Sequence, residues 1–431
     1  MKKNLFLFVF LLALMVMSCK TSKTPEEDYS WIKKGINTAS SQLRFTAEEI
    51  ADSAKLPRSI WVGYDMDFLC EQLGRDSIIF RDSLRLKPIK RQGERRLTDV
   101  YDWTSGFFPG TLWYAYELTG EEKLKEYAGQ FTNLLYPVRE YDGTHDLGFM
   151  INCSYGNAER LAPNDTIPPI LKQTADNLIS RYNPQIGAIR SWDFGDWNFP
   201  VIIDNMMNLD LLFNVSKFTG DPKYKEIAVK HAYKTLKYHF RPDYSSYHVI
   251  SYNDDGTVES GSTHQGKNDE SSWARGQSWA MYGYVSCYRE TGDEAFLNQA
   301  VRIADFIISR VKTDDLIPYW DYDAPDKPNT PRDASAASIA ASGFIELSTM
   351  LPTGEKYFDY AETILKNLSS EAYLAKPGEN QGFILMHSTG SLPHGSEIDT
   401  PLNYADYYYM EALQRYMKLK NIDYKMLETG S

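Results

Sequence analysis

The sequence predicts an all-α fold: a closed ring of helix pairs, six helices inside and six outside. Three observations carry this. One phrase recurs along the chain, in which an apolar helix ends in a Gly turn and an acidic residue opens the next helix. It reads Tyr116-Glu117-Leu118-Thr119-Gly120-Glu121, Ser216-Lys217-Phe218-Thr219-Gly220-Asp221 and Arg289-Glu290-Thr291-Gly292-Asp293, with Leu351-Pro352-Thr353-Gly354-Glu355 as a variant. Gly at such a position takes the left-handed C-cap conformation, and the acid suits the positive end of the following helix. Apolar periodicity then marks twelve helices in all. Finally, no Pro/Ser-rich linker divides the body, so 431 residues that by length suggest two or three domains read as one. An open helical solenoid with a concave protein-binding face is the alternative. Contact between the first and last helices decides between them.

The N-terminus reads as a targeting segment. Lys2 and Lys3 precede an apolar run from Leu5 to Met17, too short for the roughly 20 residues of a membrane span but suited to a secretory signal. Val16-Met17-Ser18-Cys19 places a small residue before a cysteine, as in bacterial lipoprotein signals, where that cysteine is lipidated. An ordinary cleaved signal is the alternative. Residues 1–19 are thus expected to be a signal ending at Cys19, 20–28 a tether and 29–425 the ring domain, in an exported lipoprotein of the periplasm or outer membrane. Cys70, Cys153 and Cys287 show no C-x-x-C spacing and read as buried thiols. The seven histidines form no H-E-x-x-H pattern, and nothing reads as a zinc site.

The helices are expected at 29–52, 106–118, 121–136, 147–161, 167–182, 200–218, 222–240, 272–290, 294–311, 333–350, 355–373 and 403–419. Segments such as Tyr224–Tyr238 are amphipathic and belong outside. Their partners are richer in small and aromatic residues and belong inside. In such a ring the inner N-termini share one rim, where free N–H groups favour an anion. The odd polar residues gather there. Asp102-Trp103-Thr104-Ser105, His145-Asp146-Leu147, Asp204-Asn205, Ser272-Trp273-Ala274-Arg275, Arg332-Asp333 and Asn403-Tyr404-Ala405-Asp406 each open an inner helix.

Asp102, Asp333 and Asp406 read as caps or first-turn acids. Asp204 follows Val201-Ile202-Ile203, so its carboxyl is expected to be poorly solvated and protonated at rest. With Asp146 it forms a pair of acids in unlike surroundings, an arrangement suited to acid/base work on sugars. Trp103, Trp192, Trp273 and Trp279 read as core or as a sugar platform. Ser262–Gly266 is a loop dense in hydrogen-bonding groups. Arg275, among Trp and Gly, is a buried cation that needs an anionic partner, protein or ligand. The net charge of −12 argues against nucleic-acid binding.

Several of these motifs, in this order, resemble the unsaturated glucuronyl hydrolases of glycoside hydrolase family 88. The resemblance covers about residues 60–420. It rests on Trp103–Gly110, His145–Phe149, Ile202–Leu209, Ser245–His248, Gly261–Gly266, Trp273–Trp279, Arg332–Ala336 and Asp406–Tyr409. It implies an (α/α)6 barrel, a six-hairpin toroid, in a single domain. It also implies release of a 4,5-unsaturated uronic acid from the non-reducing end of lyase-generated oligosaccharides, by hydration of the enol-ether double bond. By motif, Asp204 matches the general acid/base that protonates C4 and activates the water adding at C5. Asp146 matches the second catalytic aspartate, expected to bind ring hydroxyls and stabilise the developing positive charge. His145, Trp103, Trp192, His248, His264, Gln265, Trp273, Arg275 and Trp279 are the implied substrate-binding positions, and the resemblance implies neither a metal nor an organic cofactor. Within Gln381–Leu402, Ser388, Thr389 and His394 are candidate contacts to the next sugar. An unsaturated rhamnogalacturonyl hydrolase on pectin fragments and a noncatalytic glycan-binding lipoprotein are the alternatives. The polymer and the oligomeric state are left open.

Overall fold

A computed structural model describes residues 28–62 and 92–429. The signal segment with Cys19, the tether through residue 27, Cys70 and most of the stretch between Leu56 and Arg96 lie outside the described residues.

The inner ring consists of α2 (Phe107–Thr119), α4 (Gly148–Gly156, continuing as Asn157–Leu161), α6 (Asn205–Thr219), α8 (Ala274–Thr291), α10 (Ala334–Thr349) and α12 (Asn403–Lys420). Each packs on the next, and α12 packs on α2, which closes the ring and removes the solenoid alternative. These helices are buried nearly all round, α10 along Ala334–Ile345 without interruption. That is why they carry Ala, Gly, Ser and aromatics where a surface helix would carry charge.

The outer ring is α3 (Glu122–Leu134), α5 (Ile167–Ser180), α7 (Pro222–Tyr238), α9 (Glu294–Arg310), α11 (Glu355–Leu368) and α1 (Ser30–Ile50). In α9 only Phe296, Leu297, Gln299, Ala300, Ile303, Ala304, Phe306 and Ile307 are buried, one stripe facing inward. The recurring turn forms as expected at three of its four places; Gly354, with φ −75°, is instead the N-cap of α11, because α10 already ends at Met350. Gly120, Gly220 and Gly292 have φ of 70°, 71° and 69°, and Asp221 and Asp293 cap α7 and α9 through their side chains. The first helix is the outer partner of the last one. Gly35 permits this approach, since a Cβ there would meet the Tyr409 hydroxyl at 2.2 Å, and Trp31 packs edge-on against Tyr416. A short helix, α13 (Tyr424–Thr429), follows α12.

Two predicted helices differ. Gly148–Gly156 is π-helical; such stretches are rare and concentrate at functional sites. The helix expected from 200 begins at 205, because Pro200–Ile202 is strand β5 of a small antiparallel sheet with β6 (Val249–Tyr252) and β7 (Val258–Ser262). Three aliphatics in a row suit a strand buried on both faces as well as a helix. Two shorter sheets, β1 (Leu56–Ile60) with β2 (Arg95–Thr98) and β3 (Tyr182–Asn183) with β4 (Ala188–Ile189), also decorate the ring.

Candidate active site

The three-stranded sheet positions the first acid. Ile202 pairs with Val249, and the Ile203 N–H donates to the His248 carbonyl at 3.0 Å, so Asp204 emerges beside His248. Asp204 occupies the N-cap of α6, yet its side chain accepts no hydrogen bond from that helix. Asp221, Asp293 and Asp333 all do at theirs. Its side chain is turned to a different task. Asp204 is 6% exposed, and its Oδ2 is buried without a hydrogen-bond partner.

His248 Nε2 stands 3.5 Å from that oxygen. The other ring nitrogen, Nδ1, accepts the backbone N–H groups of His264 at 3.0 Å and Gln265 at 3.1 Å. Two donors on Nδ1 leave no room for a proton there, so the ring carries its proton on Nε2, aimed at Asp204. The 262–266 loop thus fixes a tautomer.

Asp146 completes the pair at the start of α4. The Thr144 hydroxyl donates to its Oδ2 at 3.0 Å, and His145 Nε2 lies 3.3 Å from Oδ1. Burial pushes the Asp146 carboxyl above its ordinary range; His145 opposes this, and the nearby Asp204 carboxylate adds to it. Two carboxyls that repel in a poorly solvated place are an arrangement for holding and passing a proton.

One wall is aromatic. Trp192 stacks on Phe194 at 4.9 Å and meets Trp197, His248 and His264 edge-on or tilted. His264 in turn lies 4.2 Å from the His394 ring, and Trp273 lies 4.7 Å from His248. Phe194 is 55% exposed, so the wall runs from the buried acids out to solvent. Burial pushes His264 down to about 3, which keeps this wall neutral. Gln265 closes its base, donating to the Gly390 carbonyl at 3.2 Å.

Four of the expected substrate-binding residues are engaged with the protein itself. Arg275 is 1% exposed and spent on the protein: it donates to Asp333 at 2.7 Å and to the carbonyls of Thr389 and Gly390. A buried guanidinium needs several acceptors, and the chain supplies them. Trp279 is fully buried against Phe149 and Tyr408, and Trp103 packs on Phe107, Phe149 and Tyr404; both buttress the inner ring. His145 is fully buried, lowered by that burial, and stands behind Asp146. Asp204, Asp146, His248, Trp192, Trp273, His264 and Gln265 do come together.

Of the three first-turn acids, Asp102 and Asp333 cap their segments as read. Asp406 does not cap α12. It accepts the N–H groups of Ile384 and Leu385, and burial pushes its carboxyl up to about 8. Ser388 and Thr389 are buried, whereas His394 is exposed and joins the wall.

Sequence reasoning passed over Thr144, Phe194 and Trp197. The signal for the last two was present in Trp192-Asp193-Phe194-Gly195-Asp196-Trp197, aromatics spaced through turn formers. It also passed over Asn208, one turn beyond Asp204, whose Oδ1 accepts the Phe149 N–H at 2.9 Å and ties α6 to α4.

A second polar cavity, of about 230 Å³, opens between the inner helices toward their C-terminal ends. Its charged groups satisfy one another. Glu411 accepts Tyr114, Tyr282 and Ser342, and Arg289 is held by Asp210, Glu290 and Glu346. It therefore offers a ligand far less than the cleft of Asp146 and Asp204.

Known proteins share the fold and much of the sequence of this chain. The profile of Glycosyl Hydrolase Family 88 matches residues 86–418, and one described only as a domain of unknown function matches residues 1–75. The chain is 48% identical over 323 residues to an unsaturated glucuronyl hydrolase of Formosa agariphila, covering 74% of this chain and 80% of that protein. It is 29% identical over 386 residues to an unsaturated chondroitin disaccharide hydrolase of Streptococcus pyogenes, covering 87% and 94%. A crystal structure of an unsaturated glucuronyl hydrolase specific for heparin superposes with a TM-score of 0.82 at 48% identity, covering 91% of this chain and 99% of that one.

Proposed function

The chain belongs to glycoside hydrolase family 88, and from that membership we propose that it releases a 4,5-unsaturated uronic acid from the non-reducing end of lyase-generated glycosaminoglycan-type oligosaccharides. The observation that carries the reading is the buried pair Asp146 and Asp204, with the His248 Nε2–H directed at the latter.

The chemistry follows from the pair. Asp204 delivers a proton to C4 of the enol ether. Positive charge then develops at C5 and the ring oxygen, and Asp146, as a carboxylate beside Thr144, stabilises it. Asp204, now ionised, takes a proton from water as the water oxygen bonds to C5. The proton lent to C4 is thereby restored. The resulting hemiketal opens and rearranges, releasing the remaining saccharide. His248 donates to Asp204 while it is charged and fixes its orientation. The aromatic wall excludes water and offers faces to the sugar.

We place the substrate in the heparin-like class. The structure described as specific for heparin is 48% identical, whereas the relative named for chondroitin disaccharides is 29% identical. The unsaturated carboxylate absorbs in the ultraviolet, and hydration abolishes that absorption. Protein lacking residues 1–19 is offered heparin-, chondroitin-, hyaluronan- and pectin-derived unsaturated disaccharides, with Asp204→Asn beside it. Loss of absorbance with the wild type alone on a glycosaminoglycan fragment is expected. Loss only on the pectin fragment assigns the rhamnogalacturonyl branch. Binding without any loss assigns a glycan-binding role.

We further propose that Cys19 carries a lipid and holds the enzyme at the membrane after export, on the strength of Val16-Met17-Ser18-Cys19. Mass spectrometry of the mature N-terminal peptide tests this. An unmodified Cys19, or cleavage elsewhere, refutes it.

A further inference from the structure

Residues 28–62 lie within the stretch matched only as a domain of unknown function, yet they form no separate body. Helix α1 is the sixth outer helix. Gln42 donates to the carbonyls of Glu379 and Phe383 and accepts the Gly378 N–H, so this helix already grips the strand leading into the 381–402 loop. Strand β1 then runs along the other side of that loop. Ser59 bridges to Leu402, and Asn403 donates to the Pro57 carbonyl at 2.8 Å.

The centre of this contact is ionic. Glu397 is 6% exposed. Arg58 holds it with a two-pronged grip, Nε to Oε1 at 2.7 Å and Nη2 to Oε2 at 3.0 Å. Ser59 Oγ donates at 2.8 Å and Arg96 Nη1 at 3.1 Å. The third prong of Arg58 reaches Asp102, where α2 begins. Four donors on one buried carboxylate outweigh its desolvation and hold it down to about 2. They also hold Glu397 at φ 58°, a left-handed conformation costly for a residue with a Cβ.

From Glu397 the grip passes to the cleft. The Gly390 N–H donates to the Glu397 carbonyl at 2.6 Å, and a Cβ on Gly390 would strike the Glu397 side chain at 2.6 Å. The Gly390 carbonyl accepts Gln265 and Arg275, and His394, between the two, lies against His264. The loop is therefore held from within by Arg275 and from outside by Arg58.

We infer that the N-terminal segment serves as a clamp, with Arg58 and Glu397 as positioning residues that set the 388–400 loop, and His394 with it, against the sugar beyond the unsaturated residue. The inference rests on the cleft being the active site, as proposed above. A merely structural role would weaken the whole enzyme evenly. A clamp on this loop affects only what the loop touches.

The test uses the mature chain with Arg58→Met, Glu397→Gln and the double variant. Each is assayed on an unsaturated disaccharide and on the same unsaturated uronic acid carrying a methyl aglycone too small to reach the loop. Hydrogen exchange of the 388–400 amides is followed alongside. For Arg58→Met the disaccharide KM is expected to rise about tenfold or more, as for displacement of a substrate-positioning group, while kcat/KM for the methyl glycoside is unchanged. The loop amides exchange faster and those of α8 do not. The double variant is expected to match the single ones, since the two residues act together. Equal losses on both substrates, or loop exchange as in the wild type, overturn the inference. If Arg58→Met does not fold, Glu397→Gln, which keeps an acceptor at Oε1 but turns an amide N–H toward Arg58 Nη2, gives the same readings. Should the wild type hydrate neither substrate, the functional proposal fails, while loop exchange still decides the clamp.

Discussion

His145, His231 and His239, all lowered by full burial, make the fold sensitive to acid, and one of them permits a clean measurement. His231 on α7 is fully buried; its Nδ1 accepts the Ile189 N–H at 3.0 Å and its Nε2 meets no partner. Burial pushes it from 6.5 down to about 3, with His239 and His145 adding to the effect. The folded state thus keeps His231 neutral at pH values where the unfolded chain takes up a proton. No stability is lost above pH 6.5, and loss accrues as pH falls from 6.5 toward 3. At pH 5 the unfolded chain is favoured by about 2 kcal/mol, at ~1.4 kcal/mol per unit between 6.5 and 5. The size does not depend on the folded value, provided that value lies well below 5. His231→Asn places an amide oxygen where Nδ1 accepts and removes the titration. Its lost packing costs the same at every pH. Urea unfolding of both proteins at pH 8 and pH 5 isolates the term: the variant's deficit at pH 8 is expected to shrink by about 2 kcal/mol at pH 5, or roughly 3 °C in Tm for a chain of this size. Asp406, raised to about 8, acts in the opposite sense, stabilising as pH falls from 8 to 3.8. It is common to both proteins and cancels in the difference. A deficit equal at the two pH values would refute the reasoning.

The remaining predictions concern the cleft and its support. Asp204→Asn is expected to lower kcat by about 10³-fold or more while calorimetry still registers disaccharide binding; retained turnover removes Asp204 from the reaction. His248→Asn keeps an acceptor for the His264 and Gln265 N–H groups but lacks the Nε2–H, and is expected to lose about 10²-fold in kcat. Wild-type kcat in that variant would show that Nε2 does no chemistry. Glu411→Gln, in the polar cavity at the other end of the ring, is expected to lower stability by about 2 kcal/mol through its hydroxyl and Arg415 partners. Its kcat/KM stays unchanged, and a large kinetic effect would give that cavity a role in the reaction.

The ring was legible because its signals are local. A Gly in the left-handed region with an acid behind it announces a helix hairpin wherever it occurs, and it occurs at Gly120, Gly220 and Gly292. The two aspartates were legible for a related reason: Asp146 stands where an apolar run begins and Asp204 where one ends. What could not be read is which polar residues at that rim face the cleft and which face one another. Arg275 and Trp279 share one helix and one motif, but Arg275 finds its acceptors in Asp333 and in a loop more than a hundred residues away. Such partnerships depend on ring closure. The boundary at Asp204 failed for a different reason, since Val201-Ile202-Ile203 suits either period and only pairing with Val249–Ser251 settles it. The tautomer of His248 likewise requires two backbone donors from a loop that no periodicity positions.

That the first helix lies antiparallel beside the last bears on how an N-terminal anchor would orient the enzyme. Trp31 contacts Tyr416 near the end of α12, while Gln42 and Thr46 reach the loop before its start. Ser30 therefore sits on the base of the toroid, and 21 residues of helix, roughly 30 Å, separate it from the rim that carries Asp146 and Asp204. On the anchored reading, the lipid draws that base toward the bilayer, and the mouth of the enzyme looks outward. Oligosaccharides then arrive from the aqueous side without passing between protein and membrane, and released sugars leave along the same open path.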